Sequence, residues 1–582
     1  MWRVSSAIKL LIGLILVVGV GGACRAESSQ PVEGITATVP PTATNQPLDR
    51  GNPFETPIPA PVETSALEAI RERGTLRVGT LFNHAPLCYL ADNGEVKGYE
   101  PALIQRIAEQ WGVEVEFVQV TRQTRLPMLL DGEVDVLAAA MPHRRELEQF
   151  VEFSDTTFRS GYVVLVKIDQ GIGELASLGG STVGVIGDEA EQAFAEAVER
   201  ANISPTIERF DRVEDAVSAF GEPGRVDALV GRREDMMLVA SSVEGVEILN
   251  EFVAVEPYAL AVQRGDIALR DMLDIALQQI ATGGDYGQLF QANFYGYPAD
   301  LFPEMAGEPA LTFETMPTVL AQDESVLDRI KRGEAIRVAG MALSSEPEVF
   351  DSQPIIDGYN RAVINEMSRR WNVPVSEIPD SAGQAGLDRL AVGQADLVVG
   401  VKPDRSMIGR FALSDPYYQK GIRLIYMHEN TILGVADLEL KPSMIVEPLD
   451  ISRDLIEDNN GIPRIQEAES FDDAFQSLLQ LSVQAVVGDE YALMLMKQTD
   501  ERIEVVDTLY RPTNYVMALP DNDPDFLALV SFTLQDMKAD GTLDTLREQY
   551  FGPYLPEEVE LEPLQIDIWP GDGSYLGVAT GS

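Results

Sequence analysis

Three histidines and two cysteines are the residues here with the readiest chemistry, and their spacing sorts them quickly. His84, His143 and His428 do not pair with Cys or carboxylates at metal-ligand spacing, so no metal site is written. No Gly-x-Ser-x-Gly elbow, phosphate-binding Gly loop or His-Glu-x-x-His occurs. No catalytic group, metal or cofactor is therefore nominated. Cys24 is a different case. Arg3 and Lys9, the apolar run from Ile8 to Val20 and the small residues Gly21-Gly22-Ala23 are the three parts of an export signal, and Cys24 follows at once. That order predicts a lipoprotein signal over 1–24, with lipid on Cys24 as the anchor. An ordinary secretory signal or an N-terminal membrane helix is the alternative, although the run is short for a span of about 20 residues. With Cys24 acylated, Cys88 has no intrachain partner, and there is no disulfide framework.

Charge narrows the partners. With 93 acidic residues against 44 basic ones the net charge is −49, which argues against nucleic acid and against docking flat on anionic lipid. No Asp/Asn-rich loop with EF-hand spacing turns that charge into a calcium site; a well-solvated surface accounts for it. Residues 25–64 are rich in Pro, Thr, Ser and Gln and cannot repay their ordering entropy, so they read as a tether reaching roughly 35 Å from the anchor. No later stretch is long and apolar enough to cross a bilayer. The membrane is expected to be touched only through the lipid, with the folded part extracytoplasmic.

The elements that must position any site are written twice. Ser65-Ala-Leu-Glu-Ala-Ile-Arg recurs as Ser325-Val-Leu-Asp-Arg-Ile-Lys, Gly98-Tyr99 as Gly358-Tyr359, Trp111 as Trp371, and Phe153-Ser154-Asp155 as Leu413-Ser414-Asp415. Late in each copy, Phe294-Tyr295-Gly296 answers to Tyr550-Phe551-Gly552. The period far exceeds solenoid repeats of roughly 20–50 residues, so two whole domains sit in tandem. The division is 65–300 for the first domain, 301–324 for a linker, 325–556 for the second and 557–582 for an acidic, Gly-rich tail. Within each, Leu67/Ile70 and Leu327/Ile330 mark an opening amphipathic helix, and a strand follows (76–80, 336–339). In the first copy come a helix from Tyr99 to Trp111, a strand 113–118, a helix 125–130 and a buried strand 134–139. Such alternation predicts α/β layers with largely parallel sheets.

Thr75-Leu-Arg-Val-Gly79, Gly98-Tyr99, Gly132-Glu-Val-Asp-Val136, Phe153-Ser-Asp155 and Val226-Asp-Ala-Leu-Val230 together resemble the bacterial extracellular solute-binding proteins of family 3, the amino-acid receptors of ABC importers. Gly393-Gln-Ala-Asp-Leu-Val398, Leu413-Ser-Asp415, Ala485-Val-Val-Gly-Asp489 and Tyr550-Phe-Gly552 fit the same template again. The resemblance implies two tandem periplasmic-binding-protein type II domains, each of two α/β lobes joined by a hinge. The inserted lobes would lie near 165–250 and 425–508, and ligand would hold each cleft closed.

A zwitterion entering such a cleft wants Arg on its carboxylate and an acid on its ammonium. Where the family carries its Arg, this chain has Leu147 and Met407. Arg145 and Arg405, each eight residues before the motif's first residue (Phe153, Leu413), are the shifted candidates, with Arg144 beside the first; surface ion pairing is their alternative. Asp489 stands where the family's ammonium-binding Asp belongs and can equally cap a helix. The first repeat has Arg232 there, which favours an organic acid or dicarboxylate, or a cleft that no longer binds. Phe82 and Tyr89 lie in the first loop, where the family places a stacking aromatic, and Tyr417 follows the second Ser-Asp. Trp111 and Trp371 read as core. The resulting expectation is a solute-binding lipoprotein that delivers a small polar ligand, most plausibly an amino acid, to an ABC permease, with the second repeat the better amino-acid site. A sensing or scaffold lipoprotein with degenerate clefts is the alternative, and a dehydratase built on His84 or Glu100 a more remote one.

Overall fold

Each repeat opens on a capped helix. Ser65 accepts from the Leu67 amide at 3.2 Å ahead of Ala66–Arg73, and Ser325 does so at 3.0 Å ahead of Val326–Lys331. This computed structural model describes residues 58–294, 296–297, 299, 305–320, 324–341, 349–459, 464–555, 561 and 563–578. The export signal, Cys24 and the tether up to residue 57 lie outside the described residues. None of the described helices is long and apolar enough to cross a membrane.

After the strand Thr75–Leu81 and a short hairpin (Asn83–His84, Cys88–Leu90), Gly98 turns the chain into the helix Tyr99–Trp111. Its φ is +121°, and a Cβ there would meet the Leu87 carbonyl oxygen at 2.3 Å, so the turn requires glycine. In repeat 2 the equivalent helix, Gln353–Trp371, begins earlier with Pro354 in its first turn, leaving Gly358 inside it.

The outer lobe of repeat 1 is a five-stranded sheet in the order Glu114–Val120, Thr75–Leu81, Val136–Leu137, Tyr258–Gln263, Val151–Phe158. The first three run parallel and the last two antiparallel. The inserted lobe repeats this scheme in the order Thr206–Phe210, Thr182–Ile186, Ala228–Arg232, Gly161–Lys167, Val246–Val255. The sheets are thus parallel only in their βα halves, because strands that pass between lobes must run back. Of the expected strand 134–139 only Val136–Leu137 is strand, with the Asp135 and Ala138 amides on either side bonded to the Arg77 and Gly79 carbonyls, although Val134 through Met141 is buried throughout.

The hinges differ. In repeat 1 the return crossing is interrupted at Glu256-Pro257, between Val246–Val255 and Tyr258–Gln263, where proline has no N–H for the ladder. In repeat 2 the single strand Tyr510–Pro520 pairs with Leu397–Val401 of one lobe and Tyr418–Met427 of the other, fusing both lobes into one ten-stranded sheet.

Residues 305–320, 561 and 563–578 pack as straps. Phe313 stacks on Trp111 (ring centroids 5.0 Å apart), and its carbonyl accepts from Arg71 Nε at 2.6 Å. Leu564 and Leu576 are buried in the core of repeat 2. A cavity of about 1140 Å³ lies between the repeats, walled by Asp155, Asp274, Arg270, Asp415 and Trp569.

Candidate functional site

In repeat 1 the crossing between lobes gathers charge from three sides. Arg144 follows the buried run 134–141 of the outer lobe. Arg232 ends the inserted-lobe strand Ala228–Arg232, and Glu256 lies on the hinge. Arg144 Nε donates to Glu256 Oε1 at 2.7 Å and Arg232 Nη1 to Glu256 Oε2 at 2.6 Å, so guanidiniums from opposite lobes hold the two oxygens of one buried carboxylate. Arg232 Nη2 donates to Glu189 Oε2 at 2.5 Å, and Arg144 lies 3.9 Å from the same acid. Burial works against the charge of Arg232, but the Glu256 and Glu234 carboxylates and nearby tyrosines raise its pKa further.

A second cluster adjoins it. The Tyr258 hydroxyl accepts from Arg232 at 2.8 Å and donates to Glu234 Oε1 at 2.9 Å, while Ser160 Oγ donates to Glu234 Oε2 at 2.5 Å. His84 Nε2, from the outer-lobe hairpin, stands 3.4 Å from Glu234. Burial alone would raise the Glu234 carboxyl; His84 and Ser160 outweigh it and hold it below the ordinary range. Asp235 is next along the helix and carries no hydrogen bond or ion pair among the described residues. Burial and the neighbouring Glu234 charge push its pKa up to about 6. Phe82 and Tyr89 flank His84 on the same hairpin, both half-buried. The hairpin that carries Phe82 and Tyr89 thus reaches the Arg232 cluster through His84.

Arg145 and Arg405 do not join them. Arg145 is buried between the repeats, donating to Asp536 at 2.8 Å and to Gln535 at 3.1 Å, with its guanidinium 5.0 Å from the Phe532 ring centroid. Arg405 reaches the other way, to Thr282 Oγ1 at 3.1 Å and to within 3.8 Å of Glu308. Their common spacing before the Ser-Asp motif reflects the contact between repeats. The motif serves packing as well: Ser154 and Ser414 accept from the Leu260 and Met517 amides, and Asp155 and Asp415 accept from Gln278 and Gln535.

In repeat 2 both oxygens of Asp489 are engaged. Oδ1 caps the helix Glu490–Thr499 through the Ala492 amide at 3.0 Å, and Oδ2 lies 2.8 Å from Lys420 Nζ. Tyr417 is fully buried, donating to Asn360 Oδ1 at 2.6 Å and accepting from the Gly400 amide at 2.8 Å, so it belongs to the outer-lobe core. Glu256, Glu234, Asp235 and Lys420 were not singled out from sequence. Setting the repeats side by side puts Arg232 opposite Asp489, and asking what each reversed charge pairs with points to an acid on the hinge of repeat 1 and a cation on that of repeat 2.

Two α/β lobes around a cleft crossed by paired hinge strands, written twice, define a hinge-bending binding protein. Residues 76–296 and 337–553 each match the bacterial extracellular solute-binding proteins, family 3, and the chain belongs to that family. It is 29% identical over 213 residues to the ABC transporter glutamine-binding protein GlnH of Bacillus subtilis, covering 36% of this chain and 76% of that protein. It is 34% identical over 145 residues to the membrane-bound lytic murein transglycosylase F of Vibrio cholerae, covering 25% of this chain and 27% of the transglycosylase. Among solved structures, an ancestral cationic amino acid solute binding protein (AncCDT-1) is 30% identical over 40% of this chain and 100% of its own, with a TM-score of 0.36. The relatives are mostly binding proteins, and a solute-binding role follows from the family.

Proposed function

We propose that this chain is an extracytoplasmic solute-binding lipoprotein, anchored through Cys24, that captures a small polar ligand in the cleft of repeat 1 and hands it to an ABC importer. The ligand class is an amino acid or a related organic acid. The observation that carries this reading is the grip of Arg144 and Arg232 on Glu256. The buried Glu256 carboxylate fixes two guanidiniums from opposite lobes, and their outward partner, Glu189, is a largely exposed side chain that a ligand carboxylate can replace. Asp235 supplies an acid for an ammonium group, and Phe82 and Tyr89 supply faces for a side chain. The glutamine-binding relative supports a ligand of this class.

The chemistry available favours binding over catalysis. His84 is paired with Glu234, and both oxygens of the buried Glu100 accept from the Ala140 amide, at 2.9 and 3.0 Å. The test is thermal shift of the full chain against amino acids and dicarboxylates. A ligand at one hundred times its dissociation constant adds about 2.7 kcal/mol. The expected result is a raised melting temperature that disappears in Arg232→Ala and weakens in Asp235→Asn. No response to any of these ligands would leave the sensing or scaffold role in its place.

A further inference from the structure

The two clefts hold the same ion pair with its signs exchanged. Lys420 faces Thr513 across the hinge ladder of repeat 2, as Ser160 faces Glu256 in repeat 1, where the Glu256 amide donates to the Ser160 carbonyl. Asp489 pairs with Ile422 as Arg232 pairs with Tyr162, which places both at the same strand end. A hinge carboxylate thus meets an inserted-lobe guanidinium in repeat 1, and a hinge ammonium meets an inserted-lobe carboxylate in repeat 2.

The surroundings of Lys420 are those of a bound amine. Its ammonium lies 5.7 Å from the Tyr515 ring centroid, and Tyr515 stacks on Tyr418 at 4.6 Å. A carboxylate at hydrogen-bond distance beside an aromatic face is how a site takes a desolvated ammonium. Burial works against the lysine charge, and Asp489 more than offsets it, holding its pKa at about 12.

Two further features of repeat 2 agree. The counterpart of Arg144 is Asp404, which accepts from the Ser406 amide at 2.8 Å, and Arg405 is directed at repeat 1, so neither offers a cation to a ligand carboxylate. The lobes are also tied together. The strand Tyr510–Pro520 pairs with Tyr418–Met427 on both sides of a register shift between Lys420 and Ile422, and Phe350 of the first loop packs on Phe475 of the inserted lobe at 4.7 Å.

We propose that Lys420 is a resident ligand of repeat 2: its ammonium fills the amine position of that cleft, so repeat 2 admits no free amino acid and acts as the fixed body against which repeat 1 is clasped. This does not depend on the ligand assigned to repeat 1.

The test is chemical rescue in the full chain. Lys420→Ala leaves Asp489 buried without its partner and opens a space shaped like n-propylammonium. The variant should melt below the parent protein, and millimolar n-propylammonium should restore it saturably, with n-propanol ineffective and the parent unaffected. Adding Asp489→Asn should abolish the rescue. Equal effects of amine and alcohol, or equal effects on parent and variant, overturn the proposal. Should Lys420→Ala fail to fold, calorimetry of the parent with the proteinogenic amino acids decides. At most one equivalent should bind, unchanged by Asp489→Asn; a second equivalent, or one lost in Asp489→Asn, overturns it. If no amino acid binds at all, the reading of repeat 1 falls while the rescue result still stands on its own.

Discussion

Arg145 and Arg405 cross: each leaves its own repeat and ends on the helix that closes the other's outer lobe. Arg145 lands on Gln535 and Asp536 of Pro524–Ala539, and Arg405 on Thr282 of Ile267–Thr282. The straps obey the same pseudo-twofold relation. The Met305 amide donates to Gln278 Oε1 at 2.9 Å and the Trp569 amide to Gln535 Oε1 at 3.2 Å. The Ala306 carbonyl accepts from the Arg405 amide, and the Pro570 carbonyl from the Arg145 amide. Linker and tail are therefore corresponding parts of the duplicated unit.

The crossing is unequal, and mutations should show it. Arg145 is buried, bonds Gln535 and Asp536 and lies over the Phe532 ring, so Arg145→Ala removes all three contacts from the interior and should cost about 3 kcal/mol in urea unfolding. Arg405 offers a neutral hydroxyl bond and a distant, exposed Glu308, so Arg405→Ala should cost below about 1 kcal/mol. Equal losses would mean that the two contacts carry equal weight.

The tail strap should matter to repeat 2 as a core element. Leu576 is 1% exposed within that core, so Leu576→Ala should lower stability by about 2–5 kcal/mol. Differential scanning calorimetry of the full chain would read this; an unchanged transition would mean that the strap is only laid on the surface.

The duplication, the opening amphipathic helices and the βα order were legible because they rest on local pattern: matched motifs at one offset, apolar residues at helical spacing, short buried strands. Arg144 and Arg232 could be pointed to from sequence because each follows a buried run, where a strand end opens onto a cleft, but Glu256, which joins them, lies in a hinge with no motif of its own. Arg145 and Arg405 misled because spacing from a motif fixes a residue's place in the chain but not which neighbour it meets, and the neighbour here is the other repeat. Residues 301–324 and 557–582 read only as a linker and an acidic, Gly-rich tail because neither shows a period of helix or strand, yet both bury single large side chains, which leave no pattern to read. Asp489 was read with its helix cap in view, while Lys420, almost seventy residues earlier, is joined to it only by the strand pairing.

Proton uptake should strengthen the contact between repeats. Burial pushes Glu152 up to about 7 against the pull of Arg270, and pushes Asp415, on the cavity wall, up to about 7 against its bond from Gln535. Unfolded, both titrate near 4. The folded chain therefore holds the extra protons, and their contribution is fully present below about pH 4 and lost as pH rises through about 7. Each is worth on the order of 4 kcal/mol at most. The melting temperature should be higher at pH 5 than at pH 8, with a smaller difference in Glu152→Gln. A difference unchanged by that substitution would place the titration elsewhere.

Cys88 should be chemically silent in the native chain. It is fully buried, and burial together with the nearby Glu100 pushes its thiol well above the usual range, so little thiolate is available to an alkylating reagent. Iodoacetamide should label it in urea and not in buffer at pH 8. Rapid native labelling would reveal opening of the outer lobe of repeat 1.

The cleft of repeat 1 makes its own competitor, and removing it should tighten binding. Glu189 begins the helix Asp188–Ala201 of the inserted lobe, its side chain is 60% exposed, and it draws on Arg232, the Tyr162 hydroxyl and, loosely, Arg144. Burial would raise its carboxyl, but Arg232 and Tyr162 hold it below the ordinary range, so it is ionised wherever a ligand carboxylate would be. An incoming anion must displace it, and the exchange is costly only by what an exposed pair is worth, about 0.2–1 kcal/mol. Glu189→Gln keeps the shape and removes the charge. Calorimetric titration should then show roughly 2–5-fold tighter binding of an acidic or zwitterionic ligand, whereas Glu256→Gln, which unclamps both guanidiniums, should weaken it. Weaker binding in Glu189→Gln would make Glu189 part of the ligand's grip, and the preferred ligand would then be one that brings a cation to the mouth.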